Sequence, residues 1–229
     1  MTAQKLSLKT RVGDIIFDGR KVAFLQKSRT LLVADMHFEK GSYLREFGRS
    51  VLPAYDTRDT IERLTQIVSD YVPKKIIALG DSFHDVRAHE RLDPHASNAL
   101  NALTKSGTEW IWILGNHDPD IPESVYGSRE DHVEIDGFLL THHPHVVEHN
   151  QVNICGHYHP KAKVKSRNGS VTAPCFAVSD PCIIMPSFGT FTGGLFVSDP
   201  AFKEALPDMG RVVMTYEDQL FQIPATYKY

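Results

Sequence analysis

Cysteine is scarce: the 229 residues hold three, Cys155, Cys175 and Cys182, an odd number with no CxxC spacing. A disulfide framework is excluded, and because each lies in an apolar run the reading is packed, reduced thiols in a cytoplasmic protein. Long apolar runs are missing too. Nothing approaches the roughly 18 residues needed to span a bilayer, and the start, MTAQKLSLKT, lacks an apolar signal core, so neither export nor membrane insertion is expected. Charge of one sign is not in excess. With 25 basic and 28 acidic residues the net charge is -3, so any contact with nucleic acid has to be local. Hydrophobic residues at 41% and charged residues at 23% exclude a disordered or collagen-like chain. The length suits one domain over residues 1–229.

Histidine is what the chain has in plenty: twelve, crowded toward short glycine-containing loops. Around those loops the pattern alternates. DIIFDG and KVAFLQ suggest a hairpin turning at Gly19-Arg20, and TLLVADMH, Thr30 to His37, a continuous strand. Tyr55 to Val72 carries apolar residues at helical spacing, with Asp56 or Thr57 as N-cap and Pro73 beyond the end. KKIIALGD and EWIWILGNHD are two more strands, separated by a helix over Pro94 to Ser106. Strand, helix, strand, helix, strand implies parallel crossovers. After residue 130 the spacing predicts short strands only, including GGLFV, with hairpins at Asp136-Gly137 and Asn168-Gly169. The expected fold class is α/β, an earlier parallel sheet against which a later, mostly antiparallel sheet packs.

Each strand end carries residues of metal-ligand type. Asp35-Met36-His37 places a carboxylate and an imidazole two apart at the end of a strand, on the same side, where they can grip one ion. Gly80-Asp81, Gly115-Asn116-His117-Asp118, His142-His143 and Gly156-His157-Tyr158-His159 end the others. Taken singly each is an ordinary polar loop; the ordered series is the signal, because ligands bind beyond the carboxyl ends of strands in open α/β sheets. Asp35, His37, Asp81, Asn116, His142, His157 and His159 would give two divalent ions four ligands each if Asp81 bridges them. Such ions lie about 3.5–4 Å apart and clamp a displacement at phosphorus. Mixed oxygen and imidazole donors suit Mn, Fe or Zn. His117, left over from that count, becomes a general acid for the leaving oxygen, with Asp118 holding its tautomer.

At these residues the chain resembles the calcineurin-like metallophosphoesterases. The resemblance implies a four-layer αββα sandwich, two mixed β-sheets flanked by helices. ADMHFEKGS, LPAYDTRDT, IALGDSFHD, IWILGNHDP, GHYHP, PCF and PSFGTFTGGL are similar to its ligase-associated DNA damage response endonuclease (PdeM) branch, over about residues 30–200. That branch implies a Mn-dependent phosphodiesterase or endonuclease acting on DNA in repair, with a helicase and a DNA ligase as partners. His142-His143-Pro144 departs from the His-Glu-Pro of the branch, which leaves open which histidine of the pair would bind metal.

The neighbours of the motifs bear on substrate. Protein phosphatases of the superfamily carry arginines after Gly-Asp and before Gly-Asn-His; here those places hold Ser82-Phe83-His84-Asp85 and Ile113-Leu114. A singly charged diester needs less positive charge than a monoester. GDSFH also resembles the GDxFH of Mre11-type nucleases, making His84 either an orienter of the scissile phosphate or a structural histidine. Lys161, Lys163, Lys165 and Arg167 alternate after His159 and share a face, either a strip for a phosphate backbone or a charged edge strand. A small-molecule diesterase, for instance of cyclic nucleotides, would use the same ligands. A non-catalytic scaffold would have lost some, and none is missing.

Overall fold

The computed structural model describes residues 2–48, 55–166 and 169–224. The early hairpin forms as expected: β2 (Asp14–Asp18) and β3 (Val22–Leu25) pair antiparallel, with β1 (Lys5–Lys9) added outside β2. Next come β4 (Thr30–Val33), β5 (Lys75–Leu79), β6 (Glu109–Ile113) and the short β7 (Ser128–Glu130), each parallel to its neighbour. The crossovers are α1 (Lys40–Glu46) and α2 (Asp56–Tyr71), then α3 (Ala88–Arg91) and α4 (Pro94–Thr104). The first sheet runs β1 to β7 in sequence order.

The second sheet has the order β15-β14-β12-β13-β10-β9-β8, with β11 paired to β12. Its strands are β8 (Val133–Ile135), β9 (Phe138–Leu140), β10 (Val152–Cys155), β11 (Lys161–Ser166), β12 (Gly169–Val178), β13 (Cys182–Ile184), β14 (Arg211–Tyr216) and β15 (Gln219–Pro224). Most pairs are antiparallel, but β10 is parallel to both β9 and β13.

The sheets pack face to face. Phe17 of β2 and Phe176 of β12, both fully buried, stack with centroids 4.1 Å apart, each contributing about 2–3 kcal/mol by burial. Ile61, Leu64 and Ile67 of α2 and Leu100 and Leu103 of α4 cover the outer face of the first sheet. Helix α5 (Pro200–Ala205) covers the second through Phe202. The result is the expected α/β/β/α order, with Trp110, Trp112 and the three cysteines buried as read. Among the described residues no helix is long and apolar enough to cross a membrane.

Several expectations need correction. Helix α5 lies in the region expected to hold strands alone; its Asp199-Pro200 start repeats the Asp93-Pro94 cap of α4, since each aspartate accepts backbone N–H bonds of the first turn. GGLFV is no strand, retaining only a single bridge between Phe196 and Lys161. Tyr55, not Asp56 or Thr57, caps α2. Those two side chains instead bind α1: Gly41 N–H donates to Asp56 Oδ2 (2.9 Å), and the Thr57 hydroxyl donates to Glu39 Oε1 (2.9 Å).

Candidate metal centre

The loops leaving β4, β5, β6, β9 and β10 meet. β4 stops at Val33, so strand alternation does not place Asp35 and His37 together, contrary to the sequence reading. Their backbones are left-handed, with φ of 52° and 47°, and Asp81 (47°), His157 (71°) and His159 (45°) share that conformation. Each such residue costs roughly 1 kcal/mol or more. Bonds between loops hold the strained backbone. His37 N–H donates to the Asp81 carbonyl (3.0 Å), His157 N–H to Asp35 Oδ1 (3.1 Å), and the Ser187 hydroxyl to the Asp35 carbonyl (2.7 Å). Gly80, at φ 81°, has no room for a Cβ because the His142 ring packs against it, and Gly115 is similarly closed by Asp81.

Two groups of donor atoms result. In the first, His37 Nε2 lies 3.2 Å from His159 Nε2, which lies 3.3 Å from Asp35 Oδ1; Asp81 completes it. In the second, Asn116 Oδ1 lies 3.0 Å from both His142 Nε2 and His157 Nδ1, those nitrogens are 3.3 Å apart, and a His143 ring nitrogen lies within 4.8 Å of the two histidines. Asp81 belongs to both: Oδ1 is 3.4 Å from His142 Nε2 and Oδ2 is 3.8 Å from His37 Nε2. Atoms about 2.1 Å from one ion stand about 3.0 Å apart at a right angle and about 3.4 Å apart at the tetrahedral angle. Apart from the 3.8 Å between Asp81 and His37, the spacings between neighbouring donors match that range, so the residues fit a divalent cation in each group.

His142 and His143 differ in what fixes them. His142 is buried and its Nδ1–H donates to the Leu79 carbonyl (2.9 Å), turning Nε2 to the centre, while exposed His143 tilts its ring against His157 at 4.1 Å. A backbone carbonyl behind the ligating imidazole is the usual support at metal sites. His159 has the same support, its Nδ1–H donating to Gly193 O (3.2 Å). These carbonyls escape a sequence reading because any residue supplies one.

Burial, with His159 nearby, drives His37 well below the ordinary histidine range. Burial, with Lys40 and His117, brings His84 to about 4, and burial, with His143 and His142, brings His157 to about 4. These rings are neutral at pH 7 and have lone pairs to offer. His142 is the exception. Burial pulls it down, but Asp81 and Asp35 outweigh that and lift it to about 9, while Asp81 is held below the carboxylate range against its own burial. A cation held at Nε2 would require that nitrogen to be free of its proton.

His117 and Asp118 do not form the expected pair. Asp118 is buried, and both its oxygens accept backbone N–H bonds, from Asp81 (3.1 Å) and Gly115 (3.0 Å) at Oδ1 and from Ser82 (2.7 Å) and Phe83 (3.0 Å) at Oδ2. It ties the β5 loop to the β6 loop. The His117 tautomer is set by the His84 carbonyl, which accepts from Nδ1–H at 2.8 Å. His117 Nε2 sits 4.0 Å from Asp81 Oδ2. His84 stacks on His117 with centroids 5.2 Å apart and brings Nδ1 within 3.3 Å of His37 Nδ1, the ring nitrogen of His37 that does not face His159.

Lys161, Lys163 and Lys165 alternate on β11 with buried Ala162 between the first two, so they share the outer face; Arg167 lies outside the described residues. Lys161 Nζ stands 4.5 Å over the Phe196 ring.

The sequence model of the calcineurin-like phosphoesterases matches residues 28–159, more than half of the chain. The chain belongs to the calcineurin-like phosphoesterase family. It is therefore a phosphoester hydrolase of a family that works with divalent metals, and its clusters of histidine and aspartate could hold such ions. Among solved structures, this calcineurin-like phosphoesterase superposes on the Pseudomonas putida nuclease MPE with a TM-score of 0.76 at 23% identity, covering 96% of this chain and all of that one. That establishes the shared fold. The E. coli phosphoesterase Yfce aligns at a TM-score of 0.44 and 13% identity over 85% of this chain and 98% of its own. No curated protein matches the sequence.

Proposed function

We propose that this phosphoesterase is a phosphodiesterase that uses two divalent cations and cleaves DNA. The observation that carries the reading is Asp81, whose oxygens face different donor groups at 3.4 Å and 3.8 Å. Asp35, His37 and His159 would hold one cation and Asn116, His142 and His157 the other, with Asp81 shared. When bound, the cations supply charge stabilisation to phosphorus undergoing in-line displacement.

The chain's own residues do the rest. His117, protonated, has Nδ1–H engaged by the His84 carbonyl and presents Nε2–H at the edge of the centre, placed to protonate the leaving oxygen. The positions flanking the motifs hold Ser82, Phe83 and Leu114 where phosphatases of the superfamily carry arginine, which favours a singly charged diester. DNA is supported by the segments similar to the ligase-associated branch, by the lysines of β11 and by a shared fold with a protein described as a nuclease. The branch also implies the preference for Mn and the helicase and ligase partners, while the free, buried cysteines support a cytoplasmic setting.

The test strips the protein of metal, restores Mn, Fe or Zn separately, and assays a phosphomonoester, a generic diester, a cyclic nucleotide and nicked or single-stranded DNA. Metal-dependent cleavage of the generic diester and DNA is expected, with the monoester poor. Diester cleavage undiminished by chelation refutes the metal role; turnover of the cyclic nucleotide without DNA cleavage moves the substrate to small diesters.

A further inference from the structure

Beside the second donor group a cavity of about 400 Å³ opens between the His143–Val147 segment, Tyr158, Pro181 and the end of α5 at Ala205–Asp208. It adjoins the centre at His143. That residue forms its near wall and tilts its ring against His157 at 4.1 Å, and Tyr158 packs edge-on against the same ring at 4.9 Å. Its size falls within the roughly 300–1,000 Å³ of small-molecule sites. Two features say what it takes. The walls are mostly aromatic rings, prolines and aliphatic groups, joined by Ser179 and the carboxylate of Asp208 and with no lysine or arginine among them, so it suits an uncharged planar group with hydrogen-bond donors and repels a phosphate. The smaller cavity of about 190 Å³ on the His159 side, by contrast, is lined by Lys161. Charge is thus divided between the two sides of the His157-Tyr158-His159 loop.

We propose that the cavity walled by His143, Tyr158 and Leu206 is a subsite for an unpaired nucleobase of the nucleotide next to the scissile phosphate. It rests on the diesterase reading and sharpens it: a base can enter only when unstacked, so the substrate is single-stranded or frayed at the cleavage point. Tyr158 is held for the purpose, with its ring against Phe202 of α5 at 5.8 Å and its carbonyl accepting from Leu195 N–H at 3.2 Å. Base stacking on such a ring tolerates any sequence.

The test fills the cavity from opposite walls, with Ala205→Trp at the end of α5 and Val146→Trp on the fully exposed facing segment. Two readouts are taken on parent and both variants. One is calorimetric binding of dithymidine methylphosphonate, an uncharged dinucleotide that cannot be hydrolysed at its linkage by this chemistry. The other is the preference, in kcat/KM, for thymidine 5′-(p-nitrophenyl phosphate) over methyl p-nitrophenyl phosphate, which share a leaving group. Binding and preference should each fall by about tenfold or more in both variants. A parent that does not bind the dinucleotide, or binding equal in the parent and both variants, overturns the subsite even if both esters are cleaved. If neither ester is cleaved but both variants lose binding, the diesterase reading fails and the subsite stands.

Discussion

His117 Nδ1 lies 2.8 Å from the backbone carbonyl of His84. The contact fixes the tautomer without an acidic partner, since Asp118 spends its oxygens on four backbone N–H groups. His117→Ala should keep its metal content by elemental analysis while slowing diester cleavage by about 10²–10⁴. The loss should be smallest for leaving groups that need no proton, such as p-nitrophenolate. A variant that loses its metal shows His117 to be a ligand instead of an acid.

Asp118→Asn tests the opposite assignment. The amide turns an NH₂ toward N–H donors, leaving buried groups unpaired, so stability should drop by roughly 2–4 kcal/mol in urea unfolding. The pH–rate profile of the surviving fold should keep its shape. A shifted acidic limb with unchanged stability would restore Asp118 to the proton chemistry.

Asp18 stabilises the first sheet away from the site. It is fully buried, and burial alone would raise its pKa, but Arg20, bonded to both oxygens at 2.9 Å and 2.8 Å, and the Tyr71 hydroxyl at 2.9 Å outweigh that and lower it. A carboxylate depressed on folding contributes stability above its unfolded pKa of about 4 and loses it as pH falls through the folded value. Asp18→Asn should cost about 2–4 kcal/mol at pH 7. Unfolding curves of parent and variant should converge toward pH 2.

For the β11 lysines, Lys163→Glu with Lys165→Glu should weaken DNA cleavage and flatten its salt dependence by about two counterions. Hydrolysis of a small diester is the control. Equal loss on both substrates would assign the stripe to an ordinary charged edge.

The donor set was legible in the sequence because each ligand belongs to a short motif ending an apolar run. Its geometry was not. Asp35 and His37 face one centre through left-handed backbone, which no periodicity announces and which the Gly80 and Asp81 carbonyls hold in place from another loop. Proximity in sequence to His117 suggests a pair for Asp118, whereas its partners lie 35–37 residues earlier apart from Gly115. Helix α5 begins with the same Asp-Pro pair as α4, but its six residues carry too little periodicity to mark a helix.

The His142 ring packed against Gly80 joins residues 62 positions apart, and Asp35 meets His157 across 122. Contacts of that sequence separation form late, so most of the folding route offers an ion no complete nest. A half-made chain should therefore let cations pass, and uptake of metal would mark the moment when the two sheets have closed on each other.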